Sequence, residues 1–286
     1  MKVFFLCCIS LSVILTVNCC DEFSENSETI RDFPFMAGLQ YDGEYLCSAA
    51  ILTKYLAATT AKCIYQRPYV KFTMTVGSVS SHDCGHSHAI LDHDYHPKFD
   101  TRTLEYNVGV VFFDNIEFSV NVRPLNWDEP LIPVKELGNL TIVGWPLVNY
   151  TEESILASKQ SLPVHITTCR EVYENTPFVH SLSQKRMMCT KPFLEDFFQL
   201  QDTYCLPTEG SFLISSNEYI GIGIASTVET CPKLNSPVAF TVIQSFSIKK
   251  FFKDMVYMYK DRVSFNMNRS SGNLPENVKV SELAKI

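Results

Sequence analysis

The sequence predicts an all-β body closed by a C-terminal helix. Three observations predict it. Runs of four to eight residues rich in β-branched and aromatic side chains recur along the chain between turn signals. Helical periodicity is confined to one stretch near the C-terminal end. After an apolar leader, the cysteines are scattered in a way that suits disulfides rather than a metal ribbon or a redox motif.

The leader comes first. Lys2 supplies a positive charge, Val3 to Val17 are mostly apolar, and the acidic run Asp21 to Glu28 follows. This is the layout of a secretory signal peptide over residues 1–20, too short for a comfortable membrane span and without a basic stop-transfer flank. A short N-terminal segment, 21–32, follows it. The strand-like runs then begin: Phe35 to Gln40, Leu46 to Ile51, Val70 to Val79 and Val108 to Phe113. Asp42-Gly43 between the first two is a hairpin signal. The polar segment Asn126 to Glu136, with Pro130 and Pro133, reads as a strap between halves of similar size. Thr141 to Val143, Tyr219 to Ile224 and Val238 to Ile243 continue the strand pattern. From Ile243 to Met258 the pattern changes. Phe246, Ile248, Phe251, Phe252, Met255 and Met258 fit a 3.6-residue repeat, with Lys249, Lys250 and Lys253 on the solvated side. Beyond Asp261 the polar composition predicts a flexible tail.

Composition bounds the function. The 286 residues are 46 % hydrophobic and 19 % charged, enough for a sizeable core. A formal net charge of -7 gives no general attraction to nucleic acid or an anionic membrane. Of the 11 cysteines, Cys7, Cys8, Cys19 and Cys20 belong to the leader. The others are Cys47, Cys63, Cys84, Cys169, Cys189, Cys205 and Cys231, an odd number. One thiol is therefore free, pairs with another chain, or meets Cys20 if processing spares it. Sequons at Asn139, Asn149 and Asn268 suit a secreted glycoprotein.

Several pieces in order resemble the chymotrypsin-like (trypsin-like) serine proteases: Phe33 to Gln40, Leu46 to Leu52, Thr59-Thr-Ala-Lys-Cys63, His96-Pro97, Glu105 to Val111, Asn121-Val-Arg-Pro124, Val143-Gly-Trp145, Met188-Cys189, Asp202-Thr-Tyr-Cys205 and Pro237 to Thr241. The resemblance covers about residues 32–256. It implies two packed six-stranded antiparallel β-barrels with a C-terminal helix: 33–127, a strap at 128–136, 137–261 including the helix, and a tail at 262–286. The family's usual bridges carry over as Cys47–Cys63, Cys169–Cys189 and Cys205–Cys231, which leaves Cys84 over.

The resemblance also places the catalytic positions, and there the chain departs from its family. Peptide hydrolysis by this family needs a serine oxygen, an imidazole to take its proton, and a carboxylate to orient that imidazole. The histidine position is Lys62 and the aspartate position is Asn107. The serine of Gly-Asp-Ser-Gly-Gly-Pro is Glu209, in Pro207-Thr-Glu-Gly-Ser-Phe212. The oxyanion-hole glycine is Pro207, which has no N–H to donate. Thr208 replaces the carboxylate that receives the new N-terminus on activation, and no Ile-Val-Gly-Gly start precedes Phe33. At the specificity pocket, Asp202 and Ser226 match the family, whereas Val228 and Val238 replace glycines and imply a narrowed pocket. Ser211 stands two residues past the nucleophile position, where strand geometry aims it elsewhere.

Lys62 and Glu209 would face each other across the groove. The expectation is an ion pair or polar network, since a lysine base must shed its proton and an adjacent carboxylate opposes that. The segment His82 to His96 holds five of the seven histidines. His86 and His88 share a strand face and Cys84 or Asp92 can join them, but the spacing matches no defined metal site, so a polar surface is favoured. The expectation is a secreted, inactive serine protease homologue that binds or regulates a protein, with no cofactor, no nucleic acid and no membrane. An active protease or an inhibitor is the suggested partner, with Cys84 offering a disulfide link. The alternatives are a residual or divergent hydrolase and a metal-dependent module on the histidine segment.

Overall fold

The computed structural model describes residues 29–81, 84–133, 136–137, 139–146, 155–180, 182, 186–192, 206–215, 220–226 and 237–270, with side chains up to 259 in the final helix. Six strands build the first half: β1 (Met36–Tyr41), β2 (Glu44–Thr53), β3 (Leu56–Thr59), β4 (Phe72–Val76), β5 (His86–Tyr95) and β6 (Gly109–Phe113). Six build the second: β7 (Leu140–Gly144), β8 (Ala157–Val164), β9 (Met187–Pro192), β10 (Phe212–Ser215), β11 (Gly221–Ala225) and β12 (Val238–Val242). Short helices α1 (Ala61–Ile64) and α2 (Ile166–Val172) interrupt them, and α3 (Phe246–Ser270) follows.

Each half closes into an antiparallel barrel, β1-β2-β3-β6-β5-β4 and β7-β8-β9-β12-β11-β10. The order is the same in both. Closure leaves no unpaired edge in either sheet. Asp42 and Gly43 turn the β1–β2 hairpin with φ of 53° and 86°, the left-handed pair that a two-residue loop needs. The cystines Cys47–Cys63 and Cys169–Cys189 each join a barrel strand, β2 or β9, to a short helix, α1 or α2. Cys205 and Cys231 lie outside the described residues.

Alternation along the strands separates two kinds of core. Inside the first barrel lie Leu39, Ile51, Phe72, Met74, Val111 and Phe113, and inside the second Leu140, Ile142, Leu213, Ile222, Phe240 and Val242. The larger cluster lies between barrels and helix. There Phe35, Leu52, Val110 and Phe112 meet Val143, Trp145, Phe212 and Ile224, and α3 adds Ile248, Phe251, Phe252 and Met255. Fully burying each such side chain stabilises by roughly 2 kcal/mol before ordering entropy is counted. Trp145 is 1 % exposed and donates its indole N–H to the Val79 carbonyl at 2.7 Å, so it packs and bonds across the junction.

Two features of α3 differ from the sequence expectation. The helix continues to Ser270, past the Asp261 boundary at which composition placed the tail. Extending a formed helix adds one hydrogen bond per residue fixed and needs no core contact, so polar composition alone did not mark its end. Nor do the three lysines simply face water. Lys249 and Lys253 reach Asp128 at 3.3 and 2.9 Å, and Lys249 also donates to the Glu129 carbonyl at 2.6 Å, clamping the strap to the helix. Lys250 pairs with Asp254 one turn on, at 2.7 Å. Among the described residues, no helix is long and apolar enough to cross a membrane.

Candidate functional site

Lys62, Asn107 and Glu209 come from three separate segments: α1, the turn before β6, and the turn before β10. They converge at the junction of the barrels. Lys62 Nζ lies 3.4 Å from Glu209 Oε2, with the lysine side chain 42 % and the glutamate 13 % exposed. Asn107 is fully buried and uses its whole amide. Its Oδ1 accepts the Lys62 backbone N–H at 2.9 Å, and its Nδ2 donates to Glu209 Oε1 at 2.9 Å and to Ser226 Oγ at 3.3 Å. Ser226 Oγ in turn bonds Thr241 Oγ1 on β12 at 2.8 Å. The chain of contacts runs from α1 to the second barrel without a gap.

This geometry fixes the amide orientation. The atom facing the Lys62 N–H must be the oxygen, and the NH2 must therefore face the carboxylate. The residues at 107 and 209 are thus coupled. An aspartate at 107 would set two carboxylates at hydrogen-bond distance in a buried place. With Glu209 present, an amide is the isostere that satisfies both neighbours.

Backbone geometry brings Glu209 to this point. Gly210 has φ of 82°, and a Cβ there would collide with the Ser48 carbonyl, so only glycine lets the turn lie against β2. The Ser48 N–H then donates to the Glu209 carbonyl at 3.3 Å. Beside it the Tyr45 hydroxyl bonds Ser48 Oγ at 2.9 Å, its ring tilts against Trp145, and burial pushes the phenol pKa well up.

Ser211, a hydroxyl in the same turn, is unavailable. It is 0 % exposed, and its Oγ accepts the Thr208 N–H at 3.1 Å. Thr208 Oγ1 donates to the Trp145 carbonyl at 3.0 Å, so the Ser211 proton is directed at Thr208 Oγ1, 3.1 Å away. Both hydroxyl groups are committed inward.

Other candidate positions fall elsewhere. Val238 is 2 % exposed and packs into the second-barrel core. Asp202 and Val228 lie outside the described residues, as does Asn149. Asn139 is exposed before β7, and Asn268 belongs to α3 by its backbone. Cys84 is a free, exposed thiol with φ of 64°. His86 is exposed, whereas His88 is half-buried with its ring 6.2 Å from Phe113, and burial followed by the nearby His86 lowers its pKa. Among the described residues, no three His, Cys, Asp or Glu side chains converge as a metal site.

A family model described as Trypsin matches residues 23–249. The chain belongs to the trypsin family. Solved structures show the same fold. The scabies mite inactivated protease paralogues S-D1 and S-I1 each superpose with a TM-score of 0.66, at 18 % and 17 % identity. Each match covers 80 % of this chain, and 94 % and 96 % of theirs. Curated relatives include Hypodermin-A of Hypoderma lineatum, 26 % identical over 117 residues, and Trypsin theta of Drosophila melanogaster, 26 % identical over 97. The first match covers 41 % of this chain and the second 33 %. The chain spans less than half the length of these two curated relatives, 45 % and 37 %. Within the trypsin-family frame, the three positions that converge carry a lysine, an amide and a glutamate.

The sequence missed how these positions are joined. The side-chain bridge through Asn107 has no local signal, because its partners are 45 and 102 residues away along the chain.

Proposed function

We propose that this trypsin-family chain is a secreted, catalytically inactive homologue that works by binding another protein through the loops around its former catalytic groove. One observation carries the reading. The three positions that a peptidase uses for nucleophile, base and orienting acid hold side chains bonded to one another, with neither a hydroxyl nucleophile nor an imidazole among them. Pro207 withholds an oxyanion N–H, and Ser211 points its oxygen inward. The matches named as inactivated protease paralogues support the same reading. Loops on rigid barrels can change freely once no reaction constrains them, which suits a recognition surface.

The leader at 1–20, two cystines and three sequons support an extracellular place for the folded part, 33–261. Asp202, Ser226, Val228 and Val238 hold the specificity-pocket positions in this reading, with the pocket narrowed or filled, and Cys205 pairs with Cys231. The partner is an active protease or an inhibitor, proteins shaped to meet such a groove, and Cys84 can add a covalent link. The test is a pull-down from the native extracellular fluid with the glycosylated chain beside a copy altered across the groove loops. A partner lost from the altered copy supports the reading, and identical recovery with both copies overturns it. Turnover of a peptide substrate by the purified wild-type chain would equally overturn it.

A further inference from the structure

A different polar contact lies under the first turn of α3. His96 follows β5 and is 4 % exposed. Its ring stacks on Tyr106 at 4.4 Å with an interplanar angle of 8°, and meets the edge of Phe251 at 5.5 Å. Nδ1 accepts the Lys98 backbone N–H at 3.2 Å. That contact fixes the tautomer: the proton sits on Nε2, which donates to Ser247 Oγ at 3.0 Å. We infer that His96 is an acid-sensitive latch, whose neutral imidazole holds the first turn of α3 to the first barrel and whose protonation releases it.

Burial and Lys98 work against a charged ring, and the other charged groups nearby are paired elsewhere. From its own segment, Lys98 adds a cation, with Nζ 5.8 Å from the Tyr106 centroid. From the second barrel, Arg186 lies 5.1 Å from the same centroid, and the carboxylate beside it, Glu105, is already paired with that arginine. From α3 the ring meets the helix N-terminus, whose unpaired N–H groups disfavour a nearby positive charge. The charged groups of that helix are engaged elsewhere, Lys249 and Lys253 with Asp128 and Lys250 with Asp254. A proton on Nδ1 would also face the Lys98 N–H, donor against donor. Burial first, and Lys98 second, hold the imidazole pKa at about 4, below its ordinary 6.5. Protonation therefore favours any state in which the ring reaches water.

The test is hydrogen exchange in the full chain, followed over the α3 residues 247–256 and corrected for the intrinsic pH dependence of amide exchange. From pH 7.5 to pH 5, linkage predicts an opening constant about 30-fold larger for the wild type. In His96→Gln, which keeps a polar side chain without a titrating ring, the same region should show no such rise. A wild-type helix whose corrected protection is flat over that range, or a variant with an equal slope, overturns the latch. Should the variant fail to fold, NMR titration of the wild-type His96 ring decides instead. Titration well below the ordinary range supports the latch, and titration at or above it overturns the latch.

Discussion

The network at positions 62, 107 and 209 and the imidazole of His96 both join the first barrel to a neighbour, one at the groove and one beneath α3. Their chemistry is opposite. At the groove an ion pair stands at the rim, with Lys62 42 % exposed, and a buried amide completes it. Beneath the helix a single ring is enclosed by Tyr106 and Phe251, bonded to Ser247, with Lys98 the charge that acts on it. Access to water decides the difference. A lysine that reaches solvent carries its charge at little cost, whereas an enclosed ring next to a helix N-terminus holds its place only while neutral. Positions 62, 107 and 209 therefore form a connection whose parts depend on one another.

The largest effect should come from changing the buried amide. Asn107→Asp keeps the shape but turns a donor into an acceptor against Glu209 Oε1, in a fully buried place. The expected loss is roughly 3 kcal/mol at pH 7, comparable to leaving a buried charge without its partner. Denaturant unfolding measures it. Asn107→Asp combined with Glu209→Ser should recover most of the loss, and a double-mutant cycle without coupling would show that the two positions act independently.

Next comes acid. Because His96 titrates lower in the folded state than in the unfolded chain, its contribution is fully present above pH 6.5 and fades as pH falls towards about 4. Lowering the pH from 7 to 5 should cost the wild type on the order of 2 kcal/mol through this group alone. Other groups titrate over the same range, so the informative quantity is the difference between wild type and His96→Gln in urea unfolding at the two pH values. Equal losses would remove His96 from the account and leave the groove as the single tuned centre.

These two centres were unequally legible in the sequence. The groove positions were readable because each sits beside a landmark that packing or covalent structure fixes: Lys62 before Cys63, Asn107 before the apolar run of β6, Glu209 within the turn that needs Gly210. Their ion pair was foreseeable once the two positions were known to face each other. The amide bridge was not, since orientation depends on atoms from three segments. His96 was visible as part of His96-Pro97 and as the end of the histidine segment, with nothing nearby in sequence to mark Ser247 or Phe251 as its neighbours. The repeated barrel topology left no sequence repeat either. A closed sheet requires alternation and register, which many side chains satisfy, so the two cores share an order of strands and not a string of residues.

A restored triad sharpens the comparison from the side of activity. Lys62→His, Asn107→Asp and Glu209→Ser together place a hydroxyl, an imidazole and a carboxylate at the three family positions. Peptidase activity should nevertheless stay at the wild-type background, measured with a broad set of chromogenic peptides. Pro207 has no N–H to offer the oxyanion, and the loss of one such donor in a working enzyme costs about 100- to 1000-fold in rate. Thr208 and Ser211 are tied to each other, and Thr208 to the Trp145 carbonyl, so neither hydroxyl is free to assist. Measurable turnover would mean that the three replaced side chains alone silence the fold.

The smallest effect should be at the rim itself. Lys62→Ala removes the charge partner of Glu209 but leaves the Lys62 backbone N–H, so Asn107 keeps its acceptor contact and its amide still meets the carboxylate. The lysine side chain is 42 % exposed, and water can replace most of what it provides. The expected cost is about 0.5 kcal/mol, within the range of exposed ion pairs, and it should shrink further in high salt. A loss as large as that of Asn107→Asp would mean that the ion pair, rather than the buried amide, carries the junction. The groove and the latch would then differ less than their surroundings suggest, because both would hang on one group that water cannot replace.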